Sequence, residues 1–259
     1  MHNNKVSIIL PTYNEALNIS LMISEISDNM KGNNYEIIVV DDNSPDGTSQ
    51  VVEQAISHYP QVKLFKRMSN RGLVPSISEG INQAEGDICV WMDADLTMSP
   101  ALIPQFVEQI EKGADLVLGS RYIDGGGIKG SNLNGDKTSI LEILRNVHIS
   151  EDSIISLIIS KVGNTFLRFI LDPAIHDYSS GFFGARRDLL LKLGLEGGSI
   201  DYCISLPYRA KKQGFQVVEI PMILATRKYG ESKTSNTLSS ILTIFVQCYK
   251  KALKLRFRL

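Results

Sequence analysis

The chain is poor in cysteine: three in 259 residues, Cys89, Cys203 and Cys248, far apart and odd in number. None stands at a metal-ligand or redox spacing, and a reducing compartment is the simplest expectation. Charge of either sign is not in excess. Twenty-seven Lys and Arg face 28 Asp and Glu, for a formal net charge of -1, so bulk charge gives no case for a nucleic-acid partner. No apolar run reaches the ~18–20 residues that a membrane span needs. Met1-His2-Asn3-Asn4-Lys5 leads into a short strand-like run, not a signal peptide. The expectation is a soluble protein or one bound at a membrane surface. A Gly-x-x-x-x-Gly-Lys-Ser/Thr loop is missing, and so is a Gly-x-Gly-x-x-Gly after the first strand. That argues against a P-loop enzyme and a Rossmann dehydrogenase. No internal repeat is apparent.

What is present is organised around Asp93-Ala94-Asp95. These residues follow the apolar run Asp87–Met92, of strand length. A buried strand ending in two carboxylates presents them at its carboxyl edge, where open α/β sheets bind ligands. Carboxylates at i and i+2 can share a hard divalent cation that also bridges to substrate phosphates. A turn or helix cap is the competing reading.

Around that stretch, strands alternate with helices. Strands are expected at Val6–Leu10, Tyr35–Val40, Val62–Phe65, Asp87–Met92 and Asp115–Ser120. Helices are expected from about Glu15, from Thr48 to about Ser57, from Asn70 to Ala84 and from Pro100 to Lys112. This alternation argues for right-handed βαβ units and a parallel sheet. After Arg121 the pattern changes. Asp124 to Lys137 reads as loop, and Ser139 to Leu171 as a helical run, broken or continuous. Gly181–Ala185 reads as a strand, Arg187–Leu193 and Ile204–Gln213 as helices, and Gln216–Thr226 as a strand interrupted at Pro221. In the tail, Leu238, Ile241, Leu242, Phe245 and Tyr249 form one helical stripe, followed by Lys250, Lys251, Lys254, Arg256 and Arg258. It is either a docking helix with a solvated basic end or an amphipathic anchor at an anionic membrane.

Glu15, Asp41/Asp42 and Asp93/Asp95 fall at or just after strand ends. In a parallel sheet they lie along one edge. Such a row suits a nucleotide and a metal, with one carboxylate for ribose hydroxyls and a pair for the cation on a diphosphate.

Five blocks in order resemble family 2 glycosyltransferases, in particular the dolichol-phosphate mannosyltransferase-like branch. They are Leu10–Glu15, Val39–Thr48, Met92–Leu96, Gly119–Tyr122 and Gly230–Lys233. The resemblance implies an α/β GT-A fold, with a mostly parallel central sheet flanked by helices. It implies a nucleotide-sugar donor (GDP- or UDP-sugar), a divalent metal (Mg2+ or Mn2+) and inversion at the anomeric carbon. By matching position, Pro11, Tyr13, Glu15, Val40 and Asp42 hold the nucleoside, with Asp93, Ala94 and Asp95 at the diphosphate. Asp93 and Asp95 serve the metal. Arg121, Ser160, Arg227 and Lys233 face the acceptor phosphate, and Asp95, Arg121 and Arg227 carry the chemistry. For Arg121, a plain ion-pair role is the alternative. The implied organisation is a catalytic domain over 1–235, with a mobile insertion at 123–150, and an amphipathic basic tail over 236–259.

The sequence departs from the family pattern in places. Thr97 follows the Asp-x-Asp where relatives have a polar or histidine-rich segment. Ser156 stands where they carry an arginine, with Arg145 a candidate substitute. Ser205 stands where they place a glutamate, and Asp201 lies close but out of register. A sugar hydroxyl needs a general base to become a good nucleophile. A phosphate monoester, with a second pKa of ~6, is already mostly dianionic at pH 7. The missing glutamate therefore fits a polyprenyl-phosphate acceptor at the cytoplasmic face of a membrane. A saccharide hydroxyl acceptor in cell-envelope polysaccharide synthesis is one alternative. An inactive nucleotide-sugar-binding partner at the membrane surface is another.

Overall fold

The computed structural model describes residues 4–128, 151–198, 200–225 and 238–257. The apolar runs form a seven-stranded sheet. Its strands are β1 (Val6–Thr12), β2 (Tyr35–Asp41), β3 (Val62–Lys66), β4 (Ile88–Trp91), β5 (Leu116–Ser120), β7 (Phe183–Arg186) and β8 (Val217–Pro221), in spatial order β3-β2-β1-β4-β7-β5-β8. Two short strands, β6 (Gly127–Ile128) and β9 (Ile223–Leu224), pair separately. Pairing is parallel except that β7 runs antiparallel between β4 and β5. The register sets Thr12 beside Asp41 and Ile9 beside Trp91. The carboxyl ends of β1, β2, β4, β5 and β8 and the start of β7 therefore share one edge. A strand was expected at Gly181–Ala185; its reversed direction was not.

Helices α1 (Ile19–Asn29), α2 (Thr48–Ile56) and α4 (Ile103–Glu111) cover one face of the sheet, burying Met22, Ile23, Val52 and Phe106. Helices α3 (Leu73–Gln83), α6 (Arg187–Leu193) and α7 (Asp201–Lys212) cover the other, burying Ile77, Leu190 and Leu206. With both faces covered, the strands read as continuous apolar runs rather than alternating ones. Mid-helix Gly80 lies so close to β1 that a Cβ there would sit 2.4 Å from Ile9 Cγ2. That contact accounts for a residue that costs a helix about 1 kcal/mol relative to Ala.

Helix α1 begins at Ile19, later than Glu15, because the amides before it are engaged. Those of Asn14, Glu15 and Ala16 donate to Ser44 Oγ, Thr48 Oγ1 and Asp46 Oδ2 at 3.0, 2.9 and 3.0 Å. Helix α7 begins three residues before Ile204, at Asp201, whose carboxylate accepts the Gly198 amide at 3.0 Å. Pro207 is thus inside the helix rather than early in it. The 217–224 stretch is interrupted at Met222, where the chain leaves β5 to pair with β6.

Helix α5 (Glu151–Ile170) and helix α8 (Leu238–Phe257) pack against each other, and α8 also packs on α7. Leu167, Leu171, Ile204, Tyr208 and Ala252 form a third apolar cluster there, with Cys248 and Leu255 against it. The docked face of α8 thus runs through Cys248, Ala252 and Leu255. Tyr249, assigned to the apolar stripe, is 40% exposed and meets Phe166 edge-on at 6.4 Å. No described helix is long and apolar enough to cross a membrane.

Candidate active site

The turn after β2 is built by carboxylates. Asp41 is fully buried and accepts from the Ser44 amide at 3.1 Å, Ser49 Oγ at 2.6 Å and Thr12 Oγ1 at 3.3 Å. Asp46 accepts from the amide and hydroxyl of Thr48 at 3.0 and 2.6 Å, which starts α2. Burial pushes the Asp46 carboxyl up, but these donors and the Ala16 amide outweigh it and hold the group below its ordinary value.

Asp42 has an internal task. Its Oδ1 accepts from Arg67 Nη1 and Ser76 Oγ, both at 2.9 Å, and its Oδ2 from the Gly72 amide at 2.6 Å. The carboxylate thereby fixes the start of α3 against the strand edge. An ionised carboxylate has about four lone-pair sites, so these three bonds leave little acceptor capacity. Half-buried Pro11, exposed Tyr13 and buried Glu15 follow β1 at the same edge, with Glu15 Oε2 accepting Asn18 Nδ2 at 2.9 Å. The assignment of Val40 needs correction as to its side chain. That side chain has no exposure and packs in the core with Ile9, Ile38 and Ile77. Only its backbone is on offer to a ligand.

Beyond β4, Asp93 is half-buried, while Ala94 and Asp95 are buried. Asp95 Oδ1 accepts from the Thr97 amide at 3.0 Å and from its hydroxyl at 2.6 Å, closing a turn in which Leu96 takes φ 64°. Asp95 is therefore a turn cap at one oxygen. The Thr97 hydroxyl, doubtful as a third metal ligand, points its proton at Asp95. Gly181, just before β7, leaves room beside Asp93: a Cβ there would lie 3.7 Å from Asp93 Oδ2 and 3.1 Å from Met98 Cε.

The donor set fits a hard divalent cation. It offers two carboxylates, and no cluster of three His, Cys, Asp or Glu occurs among the described residues. Asp93 and Asp95 would be the residues to hold such an ion, which would need water and substrate phosphate to complete its shell, the mode typical of Mg2+.

The end of β5 carries a buried ion pair. Arg121 Nε and Nη2 donate to Asp177 Oδ2 and Oδ1, both at 2.8 Å, and the Arg121 amide adds a third bond at 3.1 Å. Nη2 also donates to Ser179 Oγ at 2.6 Å. Asp177 is fully buried and the Arg121 side chain is 11% exposed. Burial alone pushes the Asp177 carboxyl up, yet the guanidinium outweighs it and holds the group below its ordinary value. Burial disfavours charge on Arg121 likewise, and Asp177 more than restores it. Arg121 is thus held in an ion pair, with Nη1 the guanidinium nitrogen that has no hydrogen bond among the described residues. Ser160, on α5, joins the same cluster through Tyr122 Oη at 2.9 Å.

The family model for glycosyl transferase family 2 matches residues 7–194. The chain belongs to that family. It is 37% identical over 229 residues to a dolichol-phosphate mannosyltransferase of Pyrococcus furiosus, covering 88% of this chain and 59% of that one. It is 32% identical over 237 residues to a polyprenol monophosphomannose synthase of Mycolicibacterium smegmatis, covering 89% and 81%. The chain thus spans about 59% of the length of the Pyrococcus relative. Among solved structures, glucosyl-3-phosphoglycerate synthase of Mycobacterium tuberculosis, with Mn2+ and uridine diphosphate, aligns at a TM-score of 0.67 and 18% identity. The alignment covers 98% of this chain and 81% of that one. A second structure of the same synthase holds Mg2+. The fold of this glycosyltransferase is GT-A, as the resemblance implied.

Arg145, Arg227, Lys233 and the Gly230–Lys233 block lie outside the described residues, as do 129–150 of the expected insertion. Ser205 is fully buried in α7, with no hydrogen-bond partner for its hydroxyl among the described residues. It cannot stand in for a base. Sequence reasoning missed the partners Arg67, Ser76 and Glu219, which no local pattern marks. The pairing of Asp177 with Arg121, 56 residues away, left no signal in either stretch.

Proposed function

We propose that this enzyme is a metal-dependent, inverting transferase. It moves a sugar from a GDP- or UDP-sugar to a polyprenyl phosphate, working peripherally at the cytoplasmic face of a membrane. The observation that carries the reading is the arrangement along one sheet edge. The carboxylates Asp93 and Asp95 end β4, and the Arg121 cluster with Ser160 ends β5, two strand positions away. A donor diphosphate and an acceptor phosphate then approach from neighbouring positions. The names of the Pyrococcus and Mycolicibacterium relatives support the lipid-phosphate acceptor.

In this reading Glu15 and Asp42 face the nucleoside, and Asp93 and Asp95 hold the cation. That cation, when bound, neutralises charge growing on the departing nucleoside diphosphate. Arg121, Ser160, Arg227 and Lys233 orient the acceptor phosphate. Its oxygen attacks the anomeric carbon from the face opposite the leaving group. The bond from that carbon to the diphosphate oxygen breaks, and the electron pair stays with the diphosphate. No proton need be abstracted, because the dianion is already the nucleophile. The buried Ser205 and the absence of a family glutamate agree with this economy.

A panel of nucleotide-sugars against polyprenyl phosphate, with product mass measured, tests the proposal. A lipid-extractable glycosyl phosphate is expected. A water-soluble saccharide product would move the acceptor to a hydroxyl, and no turnover of any donor would leave only a binding role.

A further inference from the structure

The segment between α5 and β7 has no regular secondary structure, yet Asp177, Tyr178 and Ser180 in it are at most 1% exposed. Buried backbone amides need partners, and here they come from two distant elements. Glu219, on β8 and with its side chain 8% exposed, accepts the His176 amide through Oε2 at 2.9 Å and the Asp177 amide through Oε1 at 3.0 Å. The His176 ring meets the same Oε2 at 2.7 Å. Asn164, on α5, accepts the Tyr178 amide at 2.7 Å and donates to Ser179 Oγ at 2.8 Å and to the Ser160 carbonyl at 3.0 Å. Three consecutive amides are thus held by two side chains, and the residue between them is Asp177, which grips Arg121.

We propose that Glu219 and Asn164 are positioning residues for the acceptor phosphate, acting through Asp177 and Ser179 on Arg121 and Ser160. The inference rests on the reading of Arg121 as a phosphate ligand. Its physical basis is the difference between a carboxylate and an amide. Glu219 accepts at both oxygens, whereas a glutamine has one acceptor and turns an NH2 towards a second N–H donor. One buried amide then loses its partner, and the 176–178 backbone shifts with Asp177 and Arg121. A bidentate arginine–carboxylate fork is directional, so shifting Asp177 re-aims the whole guanidinium, and with it Nη1, the nitrogen that its fork to Asp177 and Ser179 leaves for phosphate.

The test compares Glu219→Gln, Ser179→Ala and Arg121→Ala in the full chain, with acceptor KM, kcat, donor affinity and melting temperature measured on each. Ser179 is exposed, and loss of its hydroxyl removes one bond each to Arg121, Asn164 and Asp177 without opening the core. Arg121→Ala is expected to raise acceptor KM. Glu219→Gln should raise it roughly tenfold, the scale of a lost hydrogen bond to a charged group, and Ser179→Ala by less, with donor affinity unchanged in both. The double variant Arg121→Ala/Glu219→Gln should be no worse than Arg121→Ala alone, because both changes act at one point. If Arg121→Ala raises acceptor KM and neither other variant does, the positioning role is overturned while the phosphate reading stands. If Arg121→Ala leaves acceptor KM unchanged, both fall. A drop in donor affinity and melting temperature without a selective rise in acceptor KM assigns Glu219 to the scaffold alone and also overturns the proposal.

Discussion

The Thr97 carbonyl accepts the Ala225 amide at 2.7 Å, while the Thr97 hydroxyl and amide both donate to Asp95. One residue therefore ties the second carboxylate of the Asp-x-Asp to the strand end that leads towards Arg227. This contact also limits what can be changed at Asp95. An asparagine there keeps Oδ1 as an acceptor for Thr97 but removes the charge that a cation needs.

Asp95→Asn is accordingly expected to lower turnover by orders of magnitude, with a melting temperature close to that of the unaltered protein. Chelation of divalent metal should abolish turnover of the latter. Transfer rates with and without chelator, beside a thermal melt, check this. Full activity in excess chelator would falsify the metal role.

Asp42→Ala should act twice. Loss of a ligand to the nucleoside weakens nucleoside diphosphate binding by about 1–3 kcal/mol, the scale of a hydrogen bond to a charged group. Loss of the acceptor for Arg67, Ser76 and Gly72 also lowers the melting temperature. Calorimetry separates the two. Unchanged affinity together with a lowered melt would reduce Asp42 to an anchor of α3.

The docking of α8 changes how a membrane role is tested. Removing 236–259 strips cover from Tyr208, Ile204 and Leu167, so the truncated chain should melt early and lose all activities together. Charge reversal at exposed Lys250 and Lys254 leaves the Cys248–Ala252–Leu255 face intact. Each basic residue near an anionic surface contributes roughly 1 kcal/mol. The double reversal should lower flotation with anionic vesicles and activity on long-chain acceptors, and should spare the melt. Unchanged flotation would show that this face does not meet lipid.

At the opposite edge of the sheet, Lys5 and Lys63 bridge Glu36 and Glu85. The two lysines hold the Glu85 carboxyl down at about 2, against an ordinary 4.5. A depressed carboxyl adds stability above its unfolded value and loses it as pH falls through the folded one. The melting-temperature gap between wild type and Glu85→Gln should hold steady above pH 4.5 and close between 4.5 and about 2. A gap still fully open at pH 2 would contradict the assignment.

Much of the site around β2 and β4 was readable because its signals are local. An apolar run ending in Asp41-Asp42 or Asp93-Ala94-Asp95 announces both a strand and its edge, and the observed strands end within a residue or two of those expected. The cluster around Arg121 was less legible. Arg121 meets Asp177, and Asp177 is held by Glu219 and, through the Tyr178 amide, by Asn164, across long separations in sequence. No periodicity encodes which distant side chain satisfies a buried amide. The direction of β7 was hidden for a similar reason: Phe183–Arg186 is apolar enough for a strand, but its orientation depends on the path of the chain before it. In the tail the helix was legible, but Tyr249, placed in its apolar stripe, is 40% exposed, beside the docked face at Cys248, Ala252 and Leu255. Small Ala252 is fully buried in the cluster with Ile204 and Tyr208 of α7, a place that its modest hydrophobicity does not announce.

The position of β7 has a consequence for synthesis. Among the described residues, strands β1 to β4 pair with one another and with β7, so their parallel core is complete in the chain by Trp91. Among the described residues, strand β5 pairs with β7 and β8. At ~5–20 residues per second, Leu116–Ser120 emerges several seconds before its first partner at Phe183 exists. The β1–β4 core can therefore settle on the ribosome while the part built around β5 waits, with β5 an unpaired apolar strand in the interval. Slowing translation between 120 and 183 should lengthen that exposure, making this window the point at which the nascent enzyme is most open to chaperones and to misassembly.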